Sequence, residues 1–331
     1  MIKIYFVNRN IFSPFTDGFS KQYLLSKGLI LTKNPFAADL FISLSEEAKS
    51  YKIFKSLFWF RKFIIWTNEP RFNYSESSYV DKNSVAMNVY TKNVFLHNLH
   101  FLGSYHCNFD VNLGIVLHQP PYVALTAEKL KKRKFCAAIF TYQKPEKSAF
   151  IVNKKNIDLY ALRQNLAYFM YLAGKADIVG SNWPAEISVV ESSGFESGNL
   201  LEKTEWWDVK IKLLRNYKFN ICFENTSYPH YCTEKIWHAI ASGCLPIYYG
   251  EGTLIYETFP ENSFIDAAKF KSNESLLSFL EEMTPEEHIA RYNLCLEVLT
   301  KSCAARLANP DLKTDVLAQF VGVVYQLVRK P

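Results

Sequence analysis

Glycine is scarce in this chain, 12 among 331 residues. No fixed-period repeat and no low-complexity tract is visible, so solenoids, collagen-like rods and linker-rich arrays are excluded. No apolar run approaches the ~20 residues a membrane span requires. The seven cysteines include no CxxC pair, and Cys136, Cys222 and Cys244 lie inside apolar runs. A disulfide scaffold does not fit this pattern; a reduced protein using thiols as small buried hydrophobes does. Charge is not concentrated either, at a net +6. The one dense basic cluster, Lys129, Lys131, Lys132, Arg133 and Lys134, has no interleaved aromatics, so nucleic-acid binding is not expected. It reads as a solvated linker or helix face; the alternative is attraction to an anionic membrane surface or an acidic substrate. Met1–Val7 reads as a first strand without a basic leader or cleavage site.

Aromatics are abundant, with 26 Phe, 20 Tyr and 6 Trp. Nearly half of the chain is hydrophobic and the length suits two ordinary domains. Strand candidates Ile2–Val7, Leu40–Ser43 and Phe63–Trp66 alternate with helical patterns at Lys21–Lys27 and Ala48–Phe58. Pro120-Pro121 and the charged run to Lys134 then mark a boundary. Beyond it, Phe135–Phe140, Ala176–Val179, Phe219–Phe223 and Leu245–Tyr249 read as strands, and Leu159–Ala173 as a helix. After Ser272 the pattern is helical, with Val316, Phe320, Val323, Val324 and Leu327 on one packing face; a membrane-surface helix is the alternative. Alternation of this kind predicts two α/β domains, 1–125 and 135–331, each around a mostly parallel sheet, with the terminal helices in the second and a cleft between them.

The densest chemistry lies between Lys218 and Gly250. Phe219–Phe223 is an apolar strand that runs into Glu224-Asn225. Thr233 is a natural N-cap for the helix that follows, Ile236, Ala239 and Ile240 form its buried stripe, and Gly243 suits its left-handed stop. Leu245–Tyr249 is the next strand. In such strand–loop–helix–strand units ligands bind beyond the carboxyl ends of the strands. The helix start offers backbone N–H groups and a positive dipole end, a seat for phosphate. Lys235 in that first turn is unfavourable for the helix itself, which suggests an anion that compensates it.

The run Phe223-Glu224-Asn225, then Tyr231 through Ala239 and Gly243 through Gly250, resembles the donor-binding signature of the α-1,3/1,4-fucosyltransferases, departing only in detail at Cys232 and Cys244. Leu162-Arg163-Gln164-Asn165 resembles that family's arginine-bearing helix. Trp66-Thr67-Asn68-Glu69-Pro70 resembles its acceptor-domain motif, without the usual Ser between Glu and Pro. The resemblance implies a GT-B fold, two facing Rossmann-like domains with the donor in the C-terminal half. It also implies GDP-fucose as donor and a glycan acceptor, commonly N-acetylglucosamine in lactosamine-type chains. Glu69 would be the catalytic base. Arg163 and Lys235 would face the pyrophosphate. Asn225, Tyr231 and Glu234, with Glu224 and Thr233, would hold ribose, fucose or phosphate. Bacterial-type relatives suggest a cytoplasmic enzyme, with the inner-membrane face as a secondary contact.

Chemistry accords with one carboxylate rather than two. A glycosidase must protonate an alkoxide leaving group, whereas a nucleoside diphosphate departs as a stable anion. One base and a pair of cations then suffice for a single inverting displacement. No Asp-X-Asp motif is present to hold a divalent cation on the diphosphate, so the expectation is metal independence. His97, His100, His106 and Cys107 lack the paired spacing of a zinc site.

Overall fold

The computed structural model describes residues 1–8, 15, 18–46, 48–66, 70, 79–87, 125–144, 149–152, 154–189, 203–229, 231–308 and 312–329. The chain divides into two compact units, residues 1–111 with 305–331, and residues 112–304. The first unit has a six-stranded sheet in the order β2-β1-β3-β4-β6-β5. Its strands are β1 Ile2–Phe6, β2 Leu29–Leu31, β3 Leu40–Ser43, β4 Lys62–Trp66, β5 Tyr79–Asp81 and β6 Ser84–Met87. All pairs are parallel except β5 with β6. Helices α1 Gly18–Ser26 and α2 Lys49–Leu57 supply the crossovers. The central strands β3 and β4 are buried along almost their whole length, which is why they read as continuous apolar runs rather than alternating ones. Tyr51, Phe58, Phe41 and Phe63 form an aromatic core between sheet and α2, with Phe41 and Phe63 stacked at 5.0 Å.

Among the described residues the second unit has helix α3 Ala127–Lys131 and strands β7 Lys134–Ile139, β10 Ala176–Val179, β11 Tyr217–Ile221, β12 Leu245–Tyr248 and β13 Ile265–Asp266, with a small hairpin of β8 Ile151–Val152 and β9 Lys155–Asn156. The main sheet is parallel throughout, ordered β10-β7-β11-β12-β13. Helices α4 Tyr160–Leu172, α5 Lys203–Leu214, α6 Glu234–Ala241, α7 Asn273–Glu282 and α8 Pro285–Ala308 surround it. The strand order reverses between β7 and β11, so the crevice at their carboxyl ends is the switch point where such sheets bind ligands.

Two expectations change here. The C-terminal helix α9 Leu312–Arg329, assigned from sequence to the second domain, belongs to the first unit. Phe320 packs 4.5 Å from Phe15 and 6.4 Å from Trp66, and Tyr325 Oη donates to the carbonyl of Lys27 at 2.6 Å. The apolar stripe of α9 thus completes the first unit's aromatic core. The basic run near Lys134 is also not wholly a solvated face. Arg133 is half-buried and donates to the carbonyls of Gly243 at 2.5 Å and Tyr217 at 3.1 Å. It therefore supplies positive charge at the carboxyl end of α6, the favourable pole for a cation. Gly243 is required beneath it: its φ is +81°, and a Cβ there would meet the guanidinium at 2.7 Å.

Candidate active site

The switch point is built by two backbone segments laid side by side. Leu159 N donates to Asn225 O at 3.0 Å and Ser227 N to Ile157 O at 2.8 Å, around an antiparallel bridge of Asp158 with Thr226. This stitch fixes the start of α4 against the polar end of β11. Asp158, itself buried, accepts the Tyr160 amide at 2.7 Å and so seats the first turn of α4.

Arg163, one turn into α4, is only 5% exposed. Its guanidinium lies 4.7 Å from the ring centroids of both Phe140, at the end of β7, and Tyr160. Nη1 donates to the carbonyl of Phe223, just past β11, at 3.3 Å, while Nε has no hydrogen-bond partner. Burial pulls its pKa below the usual guanidinium value, opposed by the fields of Tyr160, Glu224 and Tyr231. A charged fork therefore stands between the carboxyl ends of the two switch-point strands, with an unsatisfied donor. Beside it, Gln164 accepts Gln143 N at 2.6 Å and returns a bond to Gln143 O at 2.9 Å. That exchange ties the loop after β7 to α4.

Glu224 is the hub of the opposite wall and is 1% exposed. Its carboxylate accepts the Thr233 amide at 2.7 Å and Lys235 Nζ at 2.9 Å, and Thr233 Oγ1 lies 2.9 and 2.8 Å from its two oxygens. Lys235 Nζ also reaches Thr233 Oγ1 at 2.7 Å. Two sequence readings are corrected by this geometry. Thr233 holds the N-cap position of α6 but makes no side-chain cap bond, because its hydroxyl is committed to Glu224. The anion that compensates Lys235 in the first turn is Glu224 itself.

Glu234, Tyr231 and Asn225 complete the cluster. Tyr231 and Asn225 are buried beside the same loop. Burial alone would raise the Glu234 carboxyl, but Lys235 and Lys210 hold it down at about 2. Lys210 is buried on α5, 3.8 Å from Glu234 Oε1, and sequence reasoning missed it. Its signal was faint: Lys210 lies three and four residues before Leu213 and Leu214 and so on their side of the helix, but that helix is only weakly amphipathic. Asp158 was missed for a different reason, since its role depends on a tertiary bridge. Glu69, with Thr67 and Asn68, lies outside the described residues; β4 ends three residues earlier, at Trp66. The histidine group His97, His100 and His106 with Cys107 lies outside them too.

The ionic cluster makes stability pH-dependent. His238, buried in α6, is pushed down to about 3 by burial first and then by Lys210, against the opposing field of Glu234. Its folded pKa lies below the ordinary 6.5, and that of Glu234 below 4.5. Both contributions are fully present above those ordinary values and are lost as pH falls toward the folded ones. Thermal stability is expected to decline from about pH 6.5 downward, and His238→Gln to flatten that decline. An unchanged slope in the variant would remove His238 from the account.

The chain is similar to known proteins. Residues 194–294 match the C-terminal domain of glycosyltransferase family 10 (fucosyltransferase). The chain is 33% identical over 81 residues to an α-(1,4)-fucosyltransferase of Arabidopsis thaliana, covering 24% of this chain and 20% of that protein. It is 30% identical over 154 residues to an α-(1,3)-fucosyltransferase of Helicobacter pylori, covering 46% of this chain and 30% of that protein. The matches thus span less than a third of these relatives' length. A solved α1,3-fucosyltransferase superposes with a TM-score of 0.51 at 17% identity, over 94% of this chain and 91% of that one, a likeness of fold. A parallel-sheet α/β unit with a polar switch point is a scaffold on which such ligand sites are built. Within residues 194–294 the similarity is to the glycosyltransferases of family 10, the fucosyltransferases.

Proposed function

We propose that the protein is an inverting fucosyltransferase that moves L-fucose from GDP-fucose to a glycan hydroxyl. The linkage would be α-1,3 or α-1,4, to N-acetylglucosamine or glucose in an oligosaccharide or surface polysaccharide. The observation that carries this reading is Arg163, a buried guanidinium with an unsatisfied donor at the β7/β11 switch point. A diphosphate offers the planar pair of acceptors that such a fork fits. The first turn of α6 adds the positive pole of its helix dipole, and Lys235, whose charge Glu224 balances, adds a hydrogen-bond donor beside it. As the sugar–phosphate bond breaks, negative charge grows on the diphosphate, and prepositioned cations lower that barrier without reorganising. Side chains then take the part a divalent cation plays elsewhere, so full rate in the presence of a chelator is expected.

Glu69 is the proposed base for the acceptor hydroxyl. Its support is the resemblance around Trp66–Pro70 and its place three residues beyond the carboxyl end of β4, a central strand. The test is a transfer assay with GDP-fucose against short lactosamine-type glycans, with chelator present and product linkage determined. Glu69→Gln should lose about 10²–10⁴-fold in kcat while GDP affinity is unchanged. Preferential turnover of a UDP- or CMP-sugar would overturn the donor, and undiminished transfer by Glu69→Gln would overturn the base.

A further inference from the structure

The first unit carries an apolar surface that its fold does not use. Phe36, Leu57, Trp59 and Phe60 are 78, 65, 67 and 55% exposed, and Ile53 is exposed beside them. They form one surface. Ile53 and Leu57 are a turn apart on α2 and line a shallow depression with Lys49, Lys52 and Ser56. Phe58, between Leu57 and Trp59, lies 5.6 Å from Phe36, and Trp59 lies 5.9 Å from Phe60. Helix α2 is therefore apolar on two sides: Tyr51 and Phe58 face the core, while Ile53 and Leu57 face outward. Contiguous exposed apolar surface of this kind marks an interaction site.

Charge identifies the partner. Residues 48–62 contain five basic residues and no acidic one; Lys55 and Arg61 are paired with Asp81 and Asp39, and the cations exposed on the patch are Lys49 and Lys52. Arg61 lies 5.3 Å over the Phe60 ring, and Lys49 and Lys52 share the depression with Ile53 and Leu57. Tryptophan and phenylalanine beside lysine and arginine suit the boundary between lipid headgroups and acyl chains. A second copy of this chain fits poorly, because a two-fold contact would set the patch against itself and its lysines against each other. We infer that the Phe36, Ile53, Leu57, Trp59 and Phe60 surface, with Lys49 and Lys52, docks the first unit on an anionic phospholipid bilayer. Neither the C-terminal helix nor the run near Lys134, the two membrane candidates in the sequence, takes part. Phe36 precedes β3 and Phe60 precedes β4, so the patch occupies the amino ends of the parallel strands. The carboxyl ends of these strands, after which Glu69 follows in the sequence, lie at the opposite end of the sheet. The inference is independent of the donor chemistry.

Flotation of the full chain with vesicles tests it. Binding is expected to phosphatidylcholine vesicles containing phosphatidylglycerol, weakening with salt, and not to phosphatidylcholine alone. Leu57→Ser/Trp59→Ser/Phe60→Ser should lower binding at least about tenfold. Lys49→Gln/Lys52→Gln, at exposed sites that leave folding intact, should lower it about fivefold per lysine removed. The inference is overturned by absence of binding, by equal binding to neutral vesicles, or by lysine variants that bind like the parent. It is equally overturned if sedimentation shows a dimer that the apolar triple variant makes monomeric while vesicle binding persists.

Discussion

Arg163→Ala is expected to lower transfer from GDP-fucose by about 10²–10³-fold, the cost of removing one preorganised donor to developing charge. Its effect on stability should be smaller. The substitution opens a cavity, but it also removes a buried cation whose Nε lacks a partner and whose one carbonyl bond is 3.3 Å long. Arg163→Lys should not rescue activity. The guanidinium carbon lies 4.7 Å from the ring centroids of both Phe140 and Tyr160, and an ammonium has no fork to grip two oxygens. Steady-state kinetics with calorimetric titration of GDP would separate the cases. Loss in both kcat and GDP affinity is expected, with the greater loss in kcat if Arg163 meets charge that grows in the transition state. GDP affinity and kcat both unchanged in Arg163→Ala would end the assignment.

Glu224→Ala is expected to destabilise the second unit by roughly 3 kcal/mol, the lower end of the range for breaking a buried pair. The lower end applies because Lys235 retains partial solvent access, with 21% of its side chain exposed. For a unit of this size that is a fall in Tm of about 10 °C. The loss has two parts. Lys235 is left without its carboxylate, and the Thr233 amide, buried at the start of α6, loses its acceptor. Glu224→Gln keeps an acceptor for the amide but not the charge, so it should fall between parent and Glu224→Ala. GDP binding should weaken in both, since the first turn of α6 is no longer held. Differential scanning calorimetry with and without GDP reads both effects. A Glu224→Ala protein that melts with the parent would show that the carboxylate does not organise this loop.

The sheet-forming segments were legible because parallel strands buried on both faces leave long apolar runs, as at Leu40–Ser43 and Phe219–Phe223. Shorter strands were not: Leu29–Leu31 and Ile265–Asp266 are too brief to carry a period. At the candidate site the residue types were readable and their pairings were not. Glu224, Thr233 and Lys235 were recognised as a group, yet that Glu224 is the counter-ion of Lys235 depends on the loop bringing residues nine and eleven apart together. Arg163 reaches Phe223 only because residues 157–159 pair with 225–227, a contact between segments nearly seventy residues apart. The tail helix was legible as amphipathic, but an apolar stripe does not name its partner. Which core it completes was decided by Phe15 and Trp66, far earlier in the chain.

That long return has a consequence for how the protein is made. The first unit needs residues 305–331 to cover Phe15 and Trp66, whereas everything in the second unit precedes them in the chain. During synthesis the sheet of the first unit emerges before the second unit, yet part of its aromatic core stays uncovered until α9 is translated. The second unit can close while the first is still open. Folding order therefore runs against sequence order, and the interval between them is when the first unit most needs protection from aggregation.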